Sequence, residues 1–310
     1  MHKNRAELAA ELYQDILALV TAASERPVEQ FFENSLRRTL CSAAIRFIAN
    51  DGGSPEARSM AHWLGRRGLL SASLADTSLC RTEEAVQAAQ TALDAGLPLQ
   101  SCLAEELSGA LKQAPAFETI SKILRILDIL AALSDGFDLS RLELLAYPDK
   151  KVQSRAALLI GRAIKNPILL SHCFNDSDAR VQASAVEAMW DMPADRARPL
   201  LIAAAKSANN RVAANALVGL YHHGDDSAIC SLFQMAQRPD LSFRLSAVWA
   251  MGKTGDARFL PFLTELFKDS RGKLRLAATR ALSQIRRREK LDAVDSPDDG
   301  PPLHWPADPD

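Results

Sequence analysis

The chain lacks the signals of a sheet protein, a membrane protein or a disulfide scaffold. Few stretches alternate apolar and polar residues with period two, and runs of Val, Ile and Thr are missing, so no sheet is predicted. No apolar stretch approaches the roughly 18–20 residues that a spanning helix needs. The five cysteines (Cys41, Cys80, Cys102, Cys173, Cys230) are scattered, with no CxxC pair. An odd, unclustered set predicts reduced core thiols in a cytoplasmic protein. Glu7, Glu11 and Asp15 interrupt what would be the apolar region of a signal peptide.

Catalytic chemistry is just as sparse. There is no GxSxG, no cysteine in a Cys/His setting and no glycine-rich phosphate loop. Glu83-Glu84 and Glu105-Glu106 are adjacent pairs, so their carboxylates diverge on a helix and read as solvated faces. His222-His223 with Asp225 and Asp226 has metal-ligand residue types, but adjacent histidines diverge where zinc takes three or four convergent ligands. That segment reads as a helix C-cap with a turn, and His172-Cys173 as a helix edge. No catalytic residue, metal site or cofactor is predicted.

What is present is a repeat. Ala156, Ala185, Ala216, Ala247 and Ala278 recur at intervals of about 30 residues. Four residues before each stands an apolar anchor: Val152, Val181, Val212, Phe243, Leu274. Four residues after each stands another: Ile160, Met189, Leu220, Met251, Leu282. Positions i, i+4 and i+8 share one helix face, and the small central residue lets neighbouring helices approach closely. Polar turns precede each anchor: Tyr147-Pro148-Asp149, Asn175 to Asp178, Ser207 to Asn210, Arg238-Pro239-Asp240 and Lys268-Asp269-Ser270. Their Asp, Asn and Ser side chains suit the free N–H groups that open a helix. Upstream, helices are predicted at 5–22, 29–49, 55–66, 82–95, 99–113 and 117–133, with Gly, Pro and Asp at the breaks.

Charge divides the chain in three. Residues 1–141 are mildly acidic, 142–290 carry a clear cationic excess, and 291–310 hold six aspartates and no cation. The excess peaks in Arg271, Lys273, Arg275, Arg280, Arg286, Arg287, Arg288 and Lys290, a cluster able to hold phosphates. The last segment, with five prolines, predicts a disordered tail in which Leu303 and Trp305 stand as anchors of a short motif.

The segments Asp176 to Met189 and Arg244 to Asp256 resemble HEAT repeats, and the length near 31 is similar to the short subtype named after bilin lyases. The resemblance covers about 140–288. It implies an all-α fold, an α-solenoid winding as a right-handed superhelix of helix pairs. Three regions follow: 1–140 as a helical region of degenerate repeats (Leu40, Ala44 and Ile48 fall in register), 141–290 as five repeats, and 291–310 as the tail. The sequence departs from the family pattern at Gln153, Gln182 and Ala213, where Arg is usual, and keeps the glycine that ends the second helix as Gly161 and Gly252. HEAT-like enzymes that resemble deoxyhypusine hydroxylase bind di-iron through His-Glu dipeptides, and no histidine here is followed by Glu.

Solenoids of this kind bind partners along the second helices, whose outward positions lie two and six residues after the anchor. These are Ser154 and Leu158, Ala183 and Glu187, Ala214 and Val218, Leu245 and Trp249, Leu276 and Arg280. The row predicts a protein-binding groove with Trp249, Leu245, Leu158, Val218 and Leu276 as apolar anchors, Glu187 among them, and Arg155, Arg244 and Arg280 at its rim. The expected role is a non-catalytic adaptor or scaffold. Nucleic-acid binding through the basic repeats is the alternative, with a glycosylase-like variant using Trp190-Asp191 and Trp249. Bilin handling is a further one.

Overall fold

A computed structural model describes residues 35–133, 142–267 and 272–295. Among these residues the fold is an all-α solenoid of fifteen α-helices with no strand. The chain divides into two compact units, one ending at Ile164 and the next starting at Lys165. That division falls one repeat after the change in sequence character near 140. The expected helix at 5–22 and the tail at 291–310 lie outside the described residues, apart from the end of the last helix.

The first unit holds α1 (Ser35–Asn50), α2 (Pro55–Arg66), α3 (Leu69–Ala75), α4 (Thr82–Asp94), α5 (Leu99–Leu111), α6 (Phe117–Leu133) and α7 (Lys150–Ile164). The helices α1, α4, α6 and α7 pack in succession, and α2, α3 and α5 flank them. Ser54 opens α2 by accepting from the Ala57 N–H at 3.1 Å, with Pro55 in the first turn, where its missing N–H costs nothing. Ile45, Ile48, Met60, Leu64, Leu103, Leu107, Ile123 and Ile126 form the core, each worth about 1.5–3 kcal/mol on burial. Ala44 and Ile48 are both buried in α1, as their register implies. The sequence gives no warning of Arg125, a buried cation on α6. Its guanidinium donates to the carbonyls of Leu74 (3.2 Å) and Cys80 (2.7 Å) and to the Thr82 hydroxyl (3.0 Å). Five donors in a rigid fork suit it to pinning the loop between α3 and α4.

The second unit holds α8 (Pro167–Phe174), α9 (Ala179–Ala188), α10 (Ala194–Ala205), α11 (Asn210–His222), α12 (Ser227–Ala236), α13 (Leu241–Thr254), α14 (Leu260–Leu266) and α15 (Gly272–Asp295). The second helices α9, α11, α13 and α15 pack in succession, each against the shorter helix before it. All five repeat alanines are buried. So are four of the five anchors; Phe243 is only half-buried. The caps form where the turns predict them. Asp149, Asp178, Asn209 and Asp240 each accept from a backbone N–H in the first turn of the following helix, at 2.8–3.0 Å for the shortest bond of each. The turn at Lys268 to Ser270 lies outside the described residues.

The glutamines that replace the family's arginine find work in the same turns. Gln153 donates to the Tyr147 carbonyl and Gln182 to the Asp176 carbonyl, both at 2.7 Å and six residues back. The two glycines expected to end second helices do not end them. Gly161 and Gly252 lie inside α7 and α13. The left-handed residues at the ends of second helices are Lys165 (φ 49°), Gly224 (φ 76°) and Gly255 (φ 74°). Gly252 serves packing instead: a Cβ there would meet the Ala281 Cα at 2.9 Å, so α13 and α15 touch nearly backbone to backbone.

Candidate partner-binding surface

The outward row does not share one fate. On α11 every residue from Val212 to Leu220 is buried, because α9, α10, α12 and α13 surround the helix. Val218 is fully buried, and Ala214 with it. Leu158 on α7 is also buried, as is Ala183 on α9. These residues are core, which removes Leu158 and Val218 as surface anchors. Glu187 is half-buried. Arg155 is engaged with Asp128 at 2.7 Å, joining α7 to α6, so its charge is spent inside the first unit.

The row opens only at the last two helices. Trp249 on α13 is 36% exposed and Leu276 on α15 is 53% exposed. Leu245 and Arg244 are half-buried beside them in sequence, and Arg280 is exposed. The Lys253 ammonium stands over the Trp249 ring, 5.8 Å from its centroid and one turn along the helix. The difference from α11 is geometric: α11 packs on α9, α10, α12 and α13, α13 packs chiefly on α11, α12 and α15, and α15 is the last second helix among the described residues.

That outer side is cationic. Lys273, Arg275, Arg280, Arg286 and Arg287 are exposed, and no carboxylate occurs between 272 and 288. At 100° per residue Lys273, Leu276, Arg280 and Arg287 fall on one stripe. Arg288 has another task. It donates to the carbonyls of Lys253 (3.2 Å) and Thr254 (2.9 Å), closing the open end of α13. Arg271 lies outside the described residues.

The residues considered for chemistry are absorbed by packing. The Trp190 indole donates to the Asn215 carbonyl at 2.8 Å and meets His222 edge-on at 5.3 Å. Burial, then the Arg288 cation and the neighbouring His223 ring, push the His222 imidazole below its ordinary range. His223 caps α11, and Asp225 accepts from Ser227, so this segment is a helix end and a turn. Burial raises the thiols of Cys41, Cys80 and Cys173, which suits inert core cysteines. Among the described residues no cluster of three or more His, Cys, Asp or Glu is placed to hold a metal ion, and no helix is long and apolar enough to cross a membrane.

Ion pairs and hydrogen bonds link the repeats in ways that the alanine pattern does not show. Arg198 reaches Asp225 at 3.1 Å, and Arg258 reaches Asp256 at 2.7 Å and Asp226 at 3.1 Å. The Tyr221 hydroxyl donates to Asp256 at 2.9 Å. Asn210 donates to the Ser246 hydroxyl at 2.6 Å and the Ser242 carbonyl at 3.1 Å.

With this architecture in view, the family model of HEAT repeats matches residues 166–241 and again 199–283. The stretch 166–283 is built of HEAT repeats. No curated protein matches the chain. Among solved structures it is similar to an engineered protein from a structural genomics consortium, at 17% identity, covering 70% of this chain and 96% of that one, with a TM-score of 0.32. It is also similar to a designed armadillo repeat protein in complex with the peptide (KR)4, at 15% identity, covering 79% and 99%, with a TM-score of 0.30. A second designed armadillo repeat protein matches at 13% identity with the same coverage and a TM-score of 0.29.

Proposed function

We propose that the chain is a non-catalytic cytoplasmic adaptor or scaffold that holds a protein partner on the surface formed by α13 and α15. One observation carries this reading: Trp249 and Leu276, on neighbouring helices, are exposed, while Leu158, Ala183, Ala214 and Val218 at the equivalent positions of inner repeats are buried and Ser154 and Glu187 are half-buried. Large apolar side chains left in water beside cations are the usual anchors of a protein interface. Leu245 completes the apolar centre, and Arg244, Arg280 and Lys253 form its rim. The test is affinity purification of the full chain from nuclease-treated native lysate at moderate salt. Protein partners recovered by wild type and by Ile168→Ala, an exposed apolar residue away from α13 and α15, but lost by Trp249→Ala with Leu276→Ala, are expected. Recovery of the same set by all three proteins would overturn the reading.

The carboxylate-free stretch 272–288 of α15 favours a second reading, in which the partner is a nucleic acid held by its phosphates. The two differ in salt response. Phosphate binding falls steeply between low and moderate salt, and an apolar anchor holds. The glycosylase-like variant is weaker, because the indole of Trp190 is committed to Asn215 and His222.

A further inference from the structure

A second surface lies elsewhere in the same unit. Between α10 and α12 the first helices part over a cleft of about 570 Å³, within the size range of ligand pockets. Its floor is Ala213, Leu217 and Leu220 of α11, and Ile202, Met235 and Phe243 add apolar walls. The cleft exists because the residues facing it are small: Ala205, Ala213, Ala228 and Ser231 stand where larger side chains would fill the gap. Ile202 at its lip is 45% exposed. The floor residues lie roughly 100° or more around α11 from Val218, the α11 equivalent of Trp249, so this is not the surface described above.

The charges are sorted along the cleft. At one end Asp225 is neutralised by Arg198 at 3.1 Å, a pair that ties α10 to the start of α12. At the other end stand Lys206 and Arg238, each just past the end of a first helix. Arg238 lies over the Phe243 ring at 4.2 Å, which holds its guanidinium at the cleft mouth, where its charge also acts on the Asp240 carboxylate. Lys206 makes no ion pair among the described residues. Ser207, Ser231 and Gln234 supply neutral polar groups between the ends.

We infer that this cleft is a docking site for an extended acidic peptide of a protein partner, which seats one large apolar side chain on Leu217 and Met235 and places a neighbouring carboxylate against Lys206 and Arg238. Apolar burial supplies the attraction, and the charge-assisted bonds fix the direction of the peptide. A cleft that was only a packing fault would carry no such sorting of charge, and filling it would only stabilise the chain.

The test uses the full chain as bait for a random 12-residue peptide library displayed on phage. The wild type is set beside Ala205→Trp, which fills the cleft, and Ala203→Trp, an exposed position on the same helix. Expected are sequences that pair a large apolar residue with Asp or Glu, enriched on wild type and on Ala203→Trp and lost on Ala205→Trp. A selected peptide should then bind Lys206→Glu with Arg238→Glu at least tenfold more weakly, and Ser231→Phe likewise. Thermal melts show whether each variant folds, and the charge-reversal pair leaves the apolar walls in place should Ala205→Trp not fold. Failure to find sequences that separate wild type from the filled variants would overturn the inference. So would enriched sequences free of carboxylates, or binding indifferent to charge reversal.

Discussion

The side-chain amide of Asn215 donates to the backbone carbonyl of Ala183 at 2.8 Å, and the backbone carbonyl of Asn215 accepts from the Trp190 indole, also at 2.8 Å. One buried polar residue thus ties α11 both to α9 and to the turn that follows α9. The site is 7% exposed, so water cannot readily replace the amide bond. Asn215→Ala should lower stability by about 1–3 kcal/mol, through a lost bond and a small cavity. In urea the transition containing α11 should shift its midpoint with an unchanged slope. A midpoint equal to wild type would mean that the side-chain bond contributes nothing.

Two glycines on helix interiors should respond in opposite directions to the same change. Gly252→Ala places a methyl 2.9 Å from the Ala281 Cα, which must move α13 away from α15. Overpacking of this kind costs about 1–3 kcal/mol. Gly109, inside α5, has nothing within 4 Å of a built Cβ. Gly109→Ala should therefore stabilise by about 0.5–1 kcal/mol through helix propensity. Thermal melts of the pair test this, and a gain for both would mean that the α13–α15 approach relaxes freely.

These residues mark where the sequence stops being legible. The alanines, the anchors and the Asx caps are local patterns that locate the second helices, and the Gly, Pro and Asp breaks locate α2, α4, α5 and α6 within a few residues. These patterns set no bounds for the first helices of the repeats, and α3, Leu69–Ala75, is too short to show a period. Burial of the outward row was a different problem. Val218 and Trp249 hold equivalent positions, and only the number of neighbours packed around each helix separates them. Arg125, Asn215 and the cleft were hidden for the same reason. Each depends on residues 25 or more apart in sequence, and a hydrogen bond to a backbone carbonyl leaves no trace in residue type.

Lys165 follows α7 with φ at 49°, the left-handed conformation that Gly224 and Gly255 take after α11 and α13. For a residue with a Cβ that conformation costs roughly 1–2 kcal/mol, which glycine avoids at some entropic expense in the unfolded chain. Lys165→Gly should raise stability by about 0.5–1 kcal/mol, read as a higher melting temperature. A lower one would show that the lysine side chain contributes more than the backbone conformation costs.

Asp256 contributes to the acid response of the second unit, beside Asp225 and Asp240, whose carboxyls are also lowered. Its carboxyl is held at about 2, below the ordinary 3.8, first by the Arg258 side chain and then by the Arg258 backbone N–H and the Tyr221 hydroxyl. A carboxylate depressed on folding adds stability that is fully present above its unfolded value and is lost as pH falls through its folded one. The window is therefore from about pH 4 down to about 2. The Arg258 side chain is 56% exposed, so solvent screening limits the effect to about 1 kcal/mol. Asp256→Asn can still cap the turn at Ala257–Phe259 but cannot ionise. Its urea midpoint should lie below wild type at pH 7 and converge on it near pH 2. If the two curves instead stayed parallel across that range, the carboxylate charge would add nothing, and Asp256 would act only as a neutral cap.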